Sequence, residues 1–276
     1  MRSYLLFYYY KVYWFFNLRR IPRKFPLEGK ERFTIGITTF MDRYSIFLDL
    51  LKRLVYSFPG NEIVIAVNGH HRYELQKEYL RNIEIFCKQF SNVKTITFKE
   101  PQGLSKLWNQ IIINSSCNKV FLFNDDVLFK RDIRTKIFES GILYEQIALI
   151  DNSFSHFLID KTIIKSVGWF DERFTEIGGE DDDFQVRLEL ENIPLKKYSL
   201  NIFRSYKPPL KFNSYGKEVS EQMGGYSTVN TNFLLKKWKI SDKEFDGAIN
   251  IVKSQGSFWK LNPGMETPDF YNNCKY

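Results

Sequence analysis

The strongest constraint on the fold lies between Phe33 and Asp126, where short apolar runs alternate with stretches of helical period. The run "RFTIGITTF" reads as a buried strand, and Ile46, Phe47, Leu50, Leu51, Leu54 and Val55 after it repeat at the spacing of one helix face. Further strands follow in "NEIVIAVNGH", "NVKTITF" and "NKVFLFNDD", with helices in "ELQKEYLRNIEIFCKQF" and "GLSKLWNQIIINS" between them. Parallel strands need a crossover, usually a helix, so this order predicts an α/β fold: a mostly parallel, Rossmann-like central sheet flanked by helices. Beyond Asp126 the elements shorten, with strands at "QIALI" and "HFLID", a helix from near Lys161 and another from about Asp182 to Glu191.

In such a sheet, ligands bind beyond the carboxyl ends of the strands. That points to Thr39, Phe40 and Arg43, to Asn68, and to Asn124, Asp125 and Asp126. Arg43 and Asn68 stand where a nucleotide base would be touched, with an ordinary turn Arg and turn Asn as the alternative use. No GxGxxG or GxxxxGK[ST] loop follows the first strand, which argues against Rossmann dinucleotide binding and P-loop chemistry.

The 276 residues suit one main domain, taken as 27–240, with a segment 1–26 before it and an extension 241–276 of unassigned role. Aromatic residues make up 17% of the chain, and part of that excess sits in "MRSYLLFYYYKVYWFFNLRRIPRKFP". Its apolar stretch is shorter than the roughly 20 residues that span a bilayer, and Tyr, Trp and Phe favour the headgroup region. An aromatic amphipathic helix on a membrane surface, residues 1–24, with Arg19, Arg20, Arg23 and Lys24 reaching anionic lipid, accounts for both the rings and the charge. Packing on the domain and a spanning helix are the alternatives. The order of basic and apolar parts is not that of a secretory signal, and the expected location is peripheral, on the cytoplasmic face of a membrane.

The formal net charge of +8 favours anionic partners, but the clearest basic cluster lies beside the aromatic segment, so no nucleic-acid partner is expected. Cys87, Cys117 and Cys274 form neither a disulfide framework nor a zinc-ligand spacing.

Against this positive background two acidic clusters stand out. "FLFNDDV" places Asp125 and Asp126 directly after an apolar strand, where carboxylates bind a divalent cation or serve as turn and capping residues. "EIGGEDDDF" sets two glycines before Glu180, Asp181, Asp182 and Asp183 at the start of a helix. The helix dipole accounts for one or two of these acids. The rest repel one another unless a cation, a shared proton or hydrogen-bond donors relieve them, and the raised proton affinity that results suits a general base.

In this order "FTIGITTF", "QGLSKLWNQII", "FLFNDDV", "VGWFDERF" and "GGEDDDF" resemble the GT-A glycosyltransferases, in particular the inverting family 2 group and the β-1,4-galactosyltransferases. The resemblance covers roughly 32–240. It implies that Asp126, matching the last Asp of a DxD-type motif, holds a divalent metal (Mn²⁺ or Mg²⁺) that in turn holds the diphosphate of a nucleotide-sugar donor. A UDP-sugar is the expected donor, with Thr39, Phe40, Arg43, Asn68, Gly103, Asn109 and Asp125 around it. It further implies that Asp181 deprotonates the acceptor hydroxyl beside Glu180, and that Trp169, Gly179 and Asp182 shape the acceptor site.

"NFLLKKWKI" is similar to the family's "yfikKWG" segment, with Lys239 in place of its Gly. Trp108 occupies a position where the family usually has Arg, and the late metal-binding His of many members has no counterpart after Asp181. The implied acceptor is a glycan or a lipid-linked glycan of surface-polysaccharide or lipopolysaccharide assembly. A non-catalytic, membrane-associated scaffold is the alternative, whereas a sugar nucleotidylyltransferase would require a Gly-rich basic loop that "GITTFMDRYS" lacks.

Overall fold

The computed structural model describes residues 32–40, 44–70, 73–129, 133–175, 178–200, 203–205, 228–240 and 259–271. The aromatic and basic segment 1–26, Arg43 and Glu176 lie outside them. The first half runs β1 (Phe33–Thr39), α1 (Tyr44–Ser57), β2 (Ile63–Val67), α2 (Tyr73–Cys87), β3 (Val93–Thr97), α3 (Leu104–Asn114) and β4 (Lys119–Asn124), the alternation expected. After it come β5 (Val127–Phe129), α4 (Ile133–Ser140), β6 (Ile147–Ile150), β7 (Ser153–Asp160), the short α5 (Ile164–Val167), α6 (Glu180–Leu190), β8 (Lys196–Tyr198), β9 (Phe203–Ser205) and α7 (Thr228–Trp238).

Seven strands form one sheet in the order β3-β2-β1-β4-β7-β6-β8, and β5 pairs with β9 in a separate ribbon. The first four are parallel, while β7 runs antiparallel to both β4 and β6. Every residue of β1 and β2 is buried, because helices cover both faces and the strands are continuous runs of apolar and β-branched residues. β3, at the edge, is half-buried. The short strands β5, β8 and β9 were not expected, since three residues carry no readable period.

One core layer joins the sheet to α1, α2 and α4 through residues such as Phe47, Leu50, Ile83 and Ile137. The opposite layer joins it to α3, α5 and α6 through Trp108, Ile111, Val167 and Phe184. A third, smaller cluster of Phe174, Val186, Leu234, Trp238 and Trp259 ties α6 to α7 and to the segment 259–271. Register sets the site: Thr39 lies level with Val67 and Thr38 with Asn124, so the carboxyl ends of β1, β2 and β4 open at one edge.

Candidate active site

At that edge the end of β1 holds the end of β4. The Thr39 hydroxyl donates to Asp125 Oδ2 at 2.9 Å and shares a 2.5 Å hydrogen bond with the Tyr79 hydroxyl of α2. Asp125 is buried, whereas Asp126, next along the turn, is half-buried. Thr38 donates to Asn124 at 3.2 Å, which closes the same pair of strand ends.

Asn68, at the end of β2, is committed to the backbone. Its amide donates to the Gln102 carbonyl at 2.9 Å, and its Oδ1 accepts from the N–H groups of Gly69 and Gln102 at 2.8 Å each. The side chain therefore fixes the loop that leads to Gly103 and α3. Gly103 is a close-approach position, since a β-carbon there would lie 2.3 Å from the Phe174 carbonyl oxygen. Phe174 in turn packs 3.1 Å from where a β-carbon of Gly179 would stand. The loop beside Asn68 is thus linked by contact to the glycine pair that opens α6.

Gly178 and Gly179 have φ of 103° and 86°, a left-handed conformation that side chains resist and glycine adopts freely. This turn starts α6 at Glu180, two residues earlier than the sequence suggests, so all four acids occupy the first helical turn. They meet different fates. Asp183, wholly buried, is ionically satisfied: Arg187 Nε donates to its Oδ2 at 3.0 Å, while the Trp238 indole and Lys237 Nζ reach its Oδ1 at 2.9 and 2.6 Å.

Asp182 is 1% exposed and neither carboxyl oxygen has a hydrogen-bond partner; Glu180 is 3% exposed and its Oε2 has none. Burial, with the neighbouring carboxylates adding repulsion, pushes Glu180 up to about 8 and Asp182 up to about 9. Asp181 remains half-buried and is raised as well, by burial and against the backbone N–H groups that favour its charge. The turn therefore holds one paired carboxylate, Asp183, two buried carboxyl groups that hold protons well above the usual range, Glu180 and Asp182, and the half-buried Asp181 between them.

The comparisons with known proteins bear on this arrangement. The sequence profile described as "Glycosyltransferase like family 2" matches residues 81–239. The chain belongs to that family. Among solved structures, the protein is similar to a mannosyltransferase from Pyrobaculum calidifontis in complex with GDP-Man and Mn²⁺, with TM-score 0.52 and 11% identity over 75% of this chain and 66% of that one. It is also similar to GalNAc-T7 with UDP, GalNAc and Mn²⁺, with TM-score 0.50 and 9% identity over 82% of this chain and 54% of that one. These likenesses establish the GT-A fold, and the chain spans about two thirds and about half of the length of those two proteins. No curated protein matches the sequence.

Other residues singled out in the sequence of this family 2-like protein lie in the layers beneath the site. Asn109 is fully buried in α3, with its amide donating to the Phe170 carbonyl at 2.9 Å and to Glu172 at 3.0 Å, so it braces the loop before the acidic turn. Trp169 is 2% exposed and meets the Tyr271 ring edge-on, centroids 5.0 Å apart. Trp108 packs against Phe157 and Phe170 in the core, so the family's usual Arg position is filled here by a structural ring. His156 is buried on β7, and that burial lowers it to about 4 and keeps it neutral.

The residues present fit a divalent cation shared with a substrate. Such ions commonly rest on one or two carboxylates plus phosphate oxygens. Asp126 and Asp125 are the carboxylates that would face such an ion; among the described residues no group of three or more His, Cys, Asp or Glu comes together as a complete protein site. Sequence reasoning missed Tyr79, Gln102 and Lys237 as supports of the site, because their partners lie 40, 34 and 54 to 66 positions away. The signal available for Lys237 was the likeness of "NFLLKKWKI" to the family's "yfikKWG" segment, which carries the Lys-Trp pair but not its partners.

Proposed function

We propose that this protein transfers a hexose from a nucleotide-diphosphate sugar, a UDP-sugar by expectation, to a hydroxyl of a glycan or lipid-linked acceptor with inversion at the anomeric carbon. The observation that carries the reading is the α6 turn, where Asp181 stays accessible beside two buried acids and its proton affinity is raised. A base for a sugar hydroxyl must hold a proton without being swamped by solvent, and a partly desolvated carboxylate does so.

In the proposed step the acceptor O–H proton passes to an Asp181 oxygen, the acceptor oxygen bonds to the anomeric carbon, and the bond from that carbon to the diphosphate breaks on the opposite face. Asp126, with Asp125 beside it, would hold a divalent cation, whose charge would offset that of the departing diphosphate. The two similar structures hold GDP-Man and Mn²⁺ in one case and UDP, GalNAc and Mn²⁺ in the other, which supports this donor class. The membrane surface, reached through residues 1–24, and a role in cell-surface polysaccharide assembly complete the proposal. No helix among the described residues is long and apolar enough to cross a membrane.

The test is nucleotide release from a panel of UDP-, GDP- and dTDP-sugars, with Mn²⁺ or with EDTA, in the presence of membrane lipid extract. Release from one donor that stops with EDTA and in Asp181→Asn supports the reading. Failure of every donor to raise the melting temperature or to release nucleotide sinks it and favours a non-catalytic scaffold.

A further inference from the structure

Helix α7 lies outside the chemistry just described, yet it grips the acidic turn at two levels. Asn230, 1% exposed, donates to the Gly178 carbonyl at 2.9 Å, and so holds the left-handed turn that starts α6. Two helical turns later Trp238 and Lys237 bind the inner carboxylate of the same turn, Asp183. Phe233, between them, meets Phe174 edge-on at 4.9 Å, against the ring that packs on Gly179.

Lys237 is the charge centre of this contact. Its ammonium donates to Asp171 Oδ2 and to the Thr267 hydroxyl at 2.7 Å each and forms an ion pair with Asp183 Oδ1 at 2.6 Å. Asp171 belongs to the loop that precedes the glycine pair, and Arg173 holds its other side through Nε at 2.9 Å. Thr267 belongs to the segment 259–271, whose Met265 and Glu266 carbonyls accept from Arg173 at 2.9 Å each. One buried cation thus joins the loop before the turn, the turn itself and the segment that follows α7 in the chain.

We infer that α7 is a splint for the catalytic turn, with Lys237, Trp238 and Asn230 as positioning residues that fix Asp181 relative to the sheet edge. This rests on the reading of Asp181 as the base. Three of the four acids in the turn gain nothing from being close together, and the glycine pair offers little resistance to unwinding. The inner anchor at Asp183 and the carbonyl anchor at Gly178 bracket Asp181 from both sides. Misplacement of a reacting group by about 1 Å costs on the order of 10²-fold in rate, so a splint of this kind acts on the catalytic step and leaves donor binding at the strand ends alone.

The experiment combines steady-state kinetics with amide hydrogen exchange on the full chain, for wild type, Lys237→Met, Lys237→Arg, Trp238→Phe and Asn230→Ala. The expected result is faster exchange at residues 179–183 with unchanged protection of β1 and β4. Donor KM stays within about twofold, and kcat falls by about 10²-fold in Lys237→Met and about 10-fold in Trp238→Phe and Asn230→Ala, with partial recovery in Lys237→Arg. If Lys237→Met fails to fold, the two milder variants decide. Unchanged exchange at 179–183, or faster exchange with wild-type kcat, overturns the inference. A wild type that turns over no donor defeats the functional reading instead, and exchange alone then decides whether α7 holds the turn.

Discussion

Two glutamates at opposite edges of the sheet are treated in opposite ways. Glu62, at the amino end of β2, accepts from Thr34 at 2.7 Å, from the Ser116 N–H at 2.7 Å and hydroxyl at 2.9 Å, and from Lys94 at 2.5 Å. Burial alone would raise it, but these donors outweigh burial and hold it down to about 2. Glu180, at the carboxyl edge, is more deeply buried, leaves Oε2 unpartnered and is pushed up to about 8. The fold satisfies a carboxylate fully where one ties strands together, whereas in the acidic turn Asp182 and one oxygen of Glu180 go without such donors. Unsatisfied acids next to an accessible Asp181 are what a proton-handling site requires, whereas a structural acid is saturated.

The sharpest way to break this contrast is activity. Asp181→Asn is expected to lower kcat by about 10²- to 10⁴-fold, the usual contribution of a general base, while Glu62→Gln leaves kcat within about twofold. Equal losses in the two variants, measured by nucleotide release, would erase the distinction between the edges. Next in size is the other acidic cluster: Asp126→Asn should lose about 10²-fold in turnover and lose its response to added Mn²⁺. A variant that keeps a normal Mn²⁺ titration curve assigns the metal elsewhere.

A third prediction concerns stability, where the two glutamates should give curves of opposite sign. Glu180 has its folded value raised from the ordinary 4.5 to about 8, so its ionisation opposes folding, and the cost grows as pH rises between those values. Glu180→Gln should therefore raise the melting temperature at pH 8 and leave it unchanged at pH 4. Glu62 is depressed from 4.5 to about 2, so its contribution is present above pH 4.5 and is lost as pH falls through 2. Glu62→Gln should lower the melting temperature at pH 7 and have little effect near pH 2. Calorimetry over pH 2 to 8 checks both, and parallel curves would show that the two edges are not treated differently.

The smallest expected effect is at the supports of Asp125. Tyr79→Phe removes one hydroxyl from the Tyr79, Thr39 and Asp125 chain and should raise donor KM by a few fold with kcat unchanged, since a net hydrogen bond contributes about 1 kcal/mol. A fall in kcat with unchanged KM would move that chain from donor binding to catalysis.

Much of this was legible in the sequence for a local reason. The strands β1 to β4 and the helices between them carry their own periodicity, and the two acidic clusters are contiguous runs at element ends, so both could be read without knowing what packs where. The strand order, with β7 inserted antiparallel beside β4, was not legible, because pairing depends on partners far away in the chain. The partners of Asn68, Asn109 and Trp108 were not legible either, because they are backbone carbonyls and core rings supplied by other parts of the chain. Identity and order, then, belong to the sequence, which by itself determined the α/β class and the positions of the candidate acids. Which acid is paired, which is left to hold a proton and which stays accessible was decided only by the tertiary structure. Proton affinity depends on burial and on donors such as Lys237 and Trp238, which reach Asp183 from 54 and 55 residues along the chain.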